Sequence, residues 1–140
     1  MIRVHANCIA VRGAGVLITG ASGSGKSDLS LRLIDRGAHL VSDDYSEIFV
    51  CDGQLRARPP QTIAGKIEVR GLGIISLPYQ SEVVIRLHIA LAHSVARMPL
   101  TPHSETFAGI AVRSFALAGL EPSAPIKLER ILGRVLEESA

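Results

Sequence analysis

The sequence predicts an α/β fold: a mixed β-sheet with one helix behind a glycine-rich loop and an amphipathic helix at the C-terminus. Three observations predict it. Val16–Thr19 is a short apolar run that passes into Gly and Ser residues at 20–25 and then into a segment of helical apolar spacing. Val83, Ile85, Leu87, Ile89 and Leu91 alternate with Arg86 and His88, the period of a strand. Leu128, Ile131, Leu132, Val135 and Leu136 recur at the spacing of a helix with one apolar face.

Each element follows from local pattern. Residues 2–11 alternate, with Ile2, Val4, Ala6, Cys8 and Ala10 on one face and Arg3, His5 and Asn7 on the other, which predicts one half-buried strand. Turn residues 12–15 then lead into the apolar run. Leu29, Leu31, Leu33 and Ile34 give a wide apolar face to a helix over about 26–36, and Gly37 supplies its stop. His39–Ser42 reads as a further strand closed by Asp43-Asp44. Glu47–Cys51 with Asp52-Gly53 reads as a hairpin. Pro59-Pro60, Gly65, Gly71 and Gly73 predict an irregular surface segment over 58–73, interrupted by a short ordered piece around Ile67–Val69. The stretches 98–102 and 119–125 are Pro-containing and read as loops, and the remainder of 92–125 carries no clear period.

Composition limits what the chain can be. With 140 residues, 47% of them hydrophobic and 20% charged, it suits one globular domain spanning 1–140. The formal charge of +2 is spread rather than clustered, which argues against a nucleic-acid groove or a polybasic membrane anchor. Apolar runs fall well short of the roughly 20 residues a spanning helix needs, and Met1 opens without a signal-peptide pattern, so a cytoplasmic location is expected. Cys8 and Cys51 form no metal-binding spacing and read as reduced core residues.

The chemistry concentrates in Gly20-Ala21-Ser22-Gly23-Ser24-Gly25-Lys26-Ser27, a GxxxxGK[ST] phosphate-binding loop placed between a strand and a helix. Glycines let the backbone curl so that its N–H groups face phosphate oxygens, and the helix N-terminus adds positive potential. Lys26 would reach the outer phosphates and Ser27 would ligate Mg²⁺. Phosphoryl transfer also needs carboxylates near the carboxyl ends of the strands, where α/β proteins hold ligands, and Asp43-Asp44 fits that place as metal ligand or base. The same pair would also suit a solvated turn. Taken alone, His5 suits the polar face of a hairpin, while Glu68, Arg70 and Arg97 suit the surface.

Read together, His5, the run Leu17-Ile18-Thr19 entering Gly20–Ser27, Leu40-Val41-Ser42-Asp43-Asp44, and Glu68-Val69-Arg70-Gly71-Leu72-Gly73-Ile74-Ile75 resemble, in order, the catalytic domain of the HPr kinase/phosphorylase family. The resemblance covers about residues 3–77. The segment 68–75 is the part most particular to that family.

The resemblance implies a P-loop core similar to phosphoenolpyruvate carboxykinase. It also implies a bifunctional enzyme that uses ATP and Mg²⁺ to phosphorylate a serine of an HPr-like phosphocarrier, and removes that phosphate with inorganic phosphate to give pyrophosphate. By the same resemblance Lys26 handles phosphates, Ser27 and Glu68 hold the metal, His5 supports the reaction, and Asp44 is the base, with Asp43 beside it in that role or in the metal shell. Arg97 is the best match for a catalytic arginine. A homohexamer is implied, and the N-terminal domain of the family is absent from the matched region. Where the family tends to carry a basic loop used in dephosphorylation, this chain has Leu120–Pro125, so the kinase direction is the expectation that loses least. Two alternatives stand beside it, a P-loop small-molecule kinase and a nucleotide-sensing module with weak catalysis.

Overall fold

The computed structural model describes residues 1–95 and 103–138. The chain enters as β1 (Ile2–Val4), β2 (Asn7–Val11) and β3 (Ala14–Thr19), followed by α1 (Lys26–Asp35) and β4 (His39–Ser42). Two hairpins follow, β5 (Ser46–Cys51) with β6 (Gln54–Arg58) and β7 (Lys66–Val69) with β8 (Gly73–Ser76). The long β9 (Val83–Ala92), β10 (Ser104–Phe107), β11 (Ile110–Ala118) and α2 (Ala124–Glu138) complete it.

The main sheet is mixed, in the order β1-β5-β6-β9-β3-β2-β4, with β11 joining β9 and β10 paired to β11. β9 shares its length, pairing antiparallel with β6 at Val83 and Val84 and parallel with β11 from His88 to Ala92, while β3 runs parallel to it from Gly15 to Thr19. At the start of this pairing a Cβ on Gly15 would lie 2.7 Å from Val83 Cγ1 and from Val84 O, so only glycine permits the approach. β2 runs antiparallel to both β3 and β4. Its beginning and the ends of β3 and β4 therefore meet at one edge of the sheet.

Both faces of the central strands are covered. Leu29 and Leu33 of α1 and Leu128, Leu132 and Val135 of α2 pack on Ile9, Val16, Ile18, Leu87 and Ile89. Cys8, Ala10, Leu17, Val41 and Ile85 turn to the opposite face and meet Ile48, Leu55 and Ala57 of the β5–β6 hairpin. Full burial of each of the larger side chains stabilises the fold by about 1.5–3 kcal/mol before conformational entropy is counted. A bidentate ion pair from Arg36, the residue that follows α1, to Glu129 of α2 joins the two helices at the surface.

This double cover corrects several expectations. Residues 2–11 form two strands separated at His5-Ala6; β1 pairs with β5, whereas β2 is buried on both faces instead of one. The face expected to be polar from Arg3, His5 and Asn7 carries Ile9 and Val11 further along, and these are buried against the helical layer. The segment expected to be irregular holds the β7–β8 hairpin. The patternless region contains β10 and β11, and α2 starts at Ala124, inside the stretch read as a loop. Cys8 is buried, but Cys51 is exposed at the end of β5 and is not a core residue. No helix among the described residues is long and apolar enough to cross a membrane.

Candidate active site

The glycine-rich loop leaves β3 at Thr19 and enters α1 at Lys26. Gly25, the residue before the helix, has φ +96° and ψ 21°, and a Cβ there would lie 2.8 Å from Leu120 Cδ2. Conformation and space both demand glycine. No side chain among the described residues caps the helix, which leaves its first backbone N–H groups for an anion. Lys26 is buried, and its ammonium donates to the carbonyls of Gly20 at 2.8 Å and Ala21 at 3.4 Å, within the loop itself.

Across the shared sheet edge stands Asp43, at the end of β4 and 6% exposed. Three donors saturate it. Ser27 Oγ lies 2.5 Å and Asn7 Nδ2 2.8 Å from its Oδ1, and the backbone N–H of Glu68 donates to Oδ2 at 3.0 Å. The Asn7 amide is fully buried at the start of β2; it reaches Ser30 Oγ at 3.1 Å and its oxygen accepts the Asp44 N–H at 2.9 Å. One side chain thus fixes both aspartates relative to α1.

Asp44 differs from its neighbour. It adopts φ +68°, a left-handed conformation uncommon for a non-glycine residue, and its side chain is exposed. Its Oδ1 lies 2.8 Å from His5 Nε2, whose ring sits 5.1 Å from that of Tyr45. The break between β1 and β2 is what leaves His5 free to turn towards Asp44.

Lys26, Ser27, Asp44, Glu68 and Arg70 line one open cleft of about 630 Å³. The β7–β8 hairpin forms its second wall, tied to the first through the Glu68 N–H bond to Asp43. The structure thus brings together Gly20–Ser27, Asp43, Asp44, His5 and Glu68. Arg97 lies outside the described residues. Asn7 was placed by the sequence on the polar face of a strand and given no role; the signal was an amide opening an otherwise apolar run.

The donor set can be tested against a nucleotide and a divalent cation. Ser22, Gly23, Gly25 and Lys26 of the loop line the cleft, whereas Ser24 Oγ is buried inside the loop, so the backbone N–H groups and Lys26 are what a phosphate would meet. Ser27 and Glu68 offer hard oxygens. Among the described residues no three His, Cys, Asp or Glu side chains converge into a metal cage. Oxygens such as those of Ser27 and Glu68 are the ligand type that Mg²⁺ takes, together with phosphate oxygens and waters.

Comparison with known proteins gives a consistent result. The model of the HPr serine kinase C-terminal domain matches residues 1–117. The HPr kinase/phosphorylase of Clostridium beijerinckii is 52% identical over 75 residues, covering 54% of this chain and 25% of that protein. That of Clostridium novyi is 50% identical over 76 residues, with the same coverage of 54% and 25%. The chain thus spans about a quarter of the length of these relatives. The structure of the HPr(Ser) kinase/phosphatase from Coxiella burnetii superposes with a TM-score of 0.85 at 31% identity, covering 99% of this chain and 94% of that one.

Proposed function

This chain belongs to the HPr serine kinase C-terminal domain family, and on that premise we propose that it is an ATP- and Mg²⁺-dependent catalytic domain that phosphorylates a serine of an HPr-like phosphocarrier. The observation that carries the reading is the single cleft holding the Lys26 loop, Asp44 and Glu68, with Asp43 and Asn7 locking its walls together. The strand–loop–helix core is of the P-loop type that the family shares with phosphoenolpyruvate carboxykinase, and 1–140 acts as one domain.

Roles follow from environment. Lys26 and the loop N–H groups bind the phosphates and offset charge on the transferring group. Ser27 and Glu68 hold Mg²⁺, which when bound neutralises phosphate charge and aligns the oxygens. Asp44 takes the proton of the attacking serine. It is assigned that role over Asp43 because its carboxylate is exposed and, among the described residues, meets His5, whereas Asp43 already accepts three hydrogen bonds. The contact from His5 Nε2 orients the Asp44 carboxylate towards the cleft. Phosphorolysis would use the same carboxylate in reverse, returning the proton to the seryl oxygen. Leu120, which lies over Gly25 where a cation would help to hold a second phosphate, favours the kinase direction.

Incubation with Mg-ATP and purified phosphocarriers, followed by mass mapping of the modified residue, tests the proposal. One phosphoserine on the carrier, absent with Lys26→Ala, is the expected result. ATP binding without transfer to any carrier would instead favour a sensing module, and transfer to a small hydroxyl compound would favour a small-molecule kinase. Loss of neither binding nor transfer in Lys26→Ala would remove the loop from the account.

A further inference from the structure

One buried titratable group takes no part in the chemistry above. His88, in the middle of β9, is 6% exposed and packs edge-on against Phe107 with ring centroids 5.1 Å apart. Its Nε2 lies 2.7 Å from Thr19 Oγ1 and its Nδ1 2.9 Å from Ser114 Oγ. Ser114 Oγ also donates to the carbonyl of Val112 at 3.1 Å.

One arrangement with a neutral ring satisfies all three contacts at once. A carbonyl only accepts, so the single hydroxyl proton of Ser114 is committed to Val112. His88 Nδ1 must then carry hydrogen and donate to Ser114. The Nε2 of a neutral ring is left as an acceptor, and Thr19 donates to it. Burial, with His103 adding to it and Glu105 opposing it, lowers the His88 pKa and keeps the ring neutral.

Thr19 is the last residue of β3, and the next residue, Gly20, carries the carbonyl that holds Lys26 Nζ at 2.8 Å. Gly20 is closely packed, since a Cβ there would lie 2.5 Å from Ser24 Oγ and 3.1 Å from Leu91 Cβ, so only glycine fits between the loop and β9. A rotation at Thr19 therefore passes directly to the loop and its lysine. We infer that His88 is a positioning residue for the phosphate-binding loop, holding Thr19, and through it Gly20 and the Lys26 ammonium, in the geometry that nucleotide phosphates meet. The inference rests on the nucleotide-binding reading above.

Calorimetric titration with Mg-ATP tests it on the full chain, with folding of each variant checked by circular dichroism. Thr19→Val removes the hydroxyl at constant shape, and His88→Asn keeps a donor near Ser114 while losing the reach to Thr19. Both should weaken ATP about tenfold, equivalent to about 1.4 kcal/mol. Thr19→Ser, and His88→Gln whose amide oxygen reaches the Nε2 position, should stay within about twofold of wild type. The double variant Thr19→Val/His88→Asn should bind no more weakly than the poorer single.

Ser114→Ala is the control for a purely structural role, since it breaks the far side of the ring without touching Thr19. It should lower Tm and weaken ATP clearly less than Thr19→Val does, because the bond between His88 and Thr19 can still form. The inference is overturned if folded Thr19→Val binds ATP like wild type, or if Ser114→Ala weakens binding as much. Should Thr19→Val prove unfolded, equal affinities for His88→Gln and His88→Asn overturn it instead. A wild-type protein that binds no Mg-ATP would remove the nucleotide reading itself, a different outcome from any of these.

Discussion

Asn7→Leu is the perturbation that most directly tests how the cleft is held together. Leucine matches asparagine closely in shape, so the fully buried site stays filled while the amide is lost. Two bonds carry the cost. The 2.8 Å bond to the buried Asp43 carboxylate involves a charged acceptor and contributes about 2–3 kcal/mol, while the 2.9 Å bond from the Asp44 N–H contributes about 1 kcal/mol. Ser30 Oγ keeps its bond to the Lys26 carbonyl at 2.9 Å and adds little. The expected loss is therefore about 3–4 kcal/mol, against a total of about 5–15 kcal/mol for an ordinary domain. Urea unfolding with a slope near 2 kcal/mol/M would show the midpoint falling by about 1.5–2 M at unchanged slope. ATP affinity should fall alongside, because the Asn7 amide lies 2.8 Å from Asp43 and 3.5 Å from Ser27 Oγ and is a partner of both. A midpoint shift under about 0.5 M at unchanged slope would refute the role given to Asn7.

Other expectations follow from the same geometry. Asp44→Asn should slow single-turnover phosphoryl transfer at least about a hundredfold while leaving ATP affinity nearly intact, because an amide cannot take the seryl proton; normal transfer would refute the assignment, and Asp43→Asn, measured in parallel, should cost stability first. Glu68→Gln should raise the Mg²⁺ concentration needed for half-maximal activity, since it removes one anionic oxygen but keeps the N–H bond to Asp43; an unchanged Mg²⁺ dependence would demote Glu68 to a surface charge. His88 also links stability to pH. Burial lowers its pKa, so the native ring stays neutral while the unfolded chain binds a proton below about pH 6.5. The contribution of His88 is present above that pH and is lost as the pH falls towards the depressed native value. Chemical denaturation at pH 7.5 and 5.5 should show a drop that shrinks in His88→Gln, and an equal drop in both proteins would contradict it.

Much of the cleft could be read from residue order because its parts are local signals. The phosphate loop is one continuous motif between a strand and a helix, and Asp43-Asp44 ends the next strand, so their shared edge follows from α/β geometry. Asn7 could not be read that way. Its importance depends on β2 lying between β3 and β4, a pairing that local periodicity does not encode. The same limit concealed β10 and β11, whose short side chains, turn residues and mixed exposure give no clean period of two. His88 was legible as a strand residue, but its partners Thr19 and Ser114 come from strands far away in sequence. Arg3, His5 and Asn7 gave the second face of residues 2–11 a polar start, which hid the burial of Ile9 and Val11 further along it.

The parallel pairing of β3 with β9 also sets the order in which the protein can assemble. Every described residue of the cleft except Leu120 lies at or before Gly73, yet the strand that flanks β3 on the side away from β2 begins only at Val83 and pairs Gly15 with Ile85. Closing so long a loop for a parallel register is entropically expensive and belongs among the slow events of folding. A nascent chain that has emerged only as far as the β7–β8 hairpin would therefore carry the full set of phosphate-binding side chains with nothing to hold their strand in place. Nucleotide affinity should appear late in refolding, together with the central sheet, and a fragment ending at Leu77 should bind no ATP despite containing the entire glycine-rich loop.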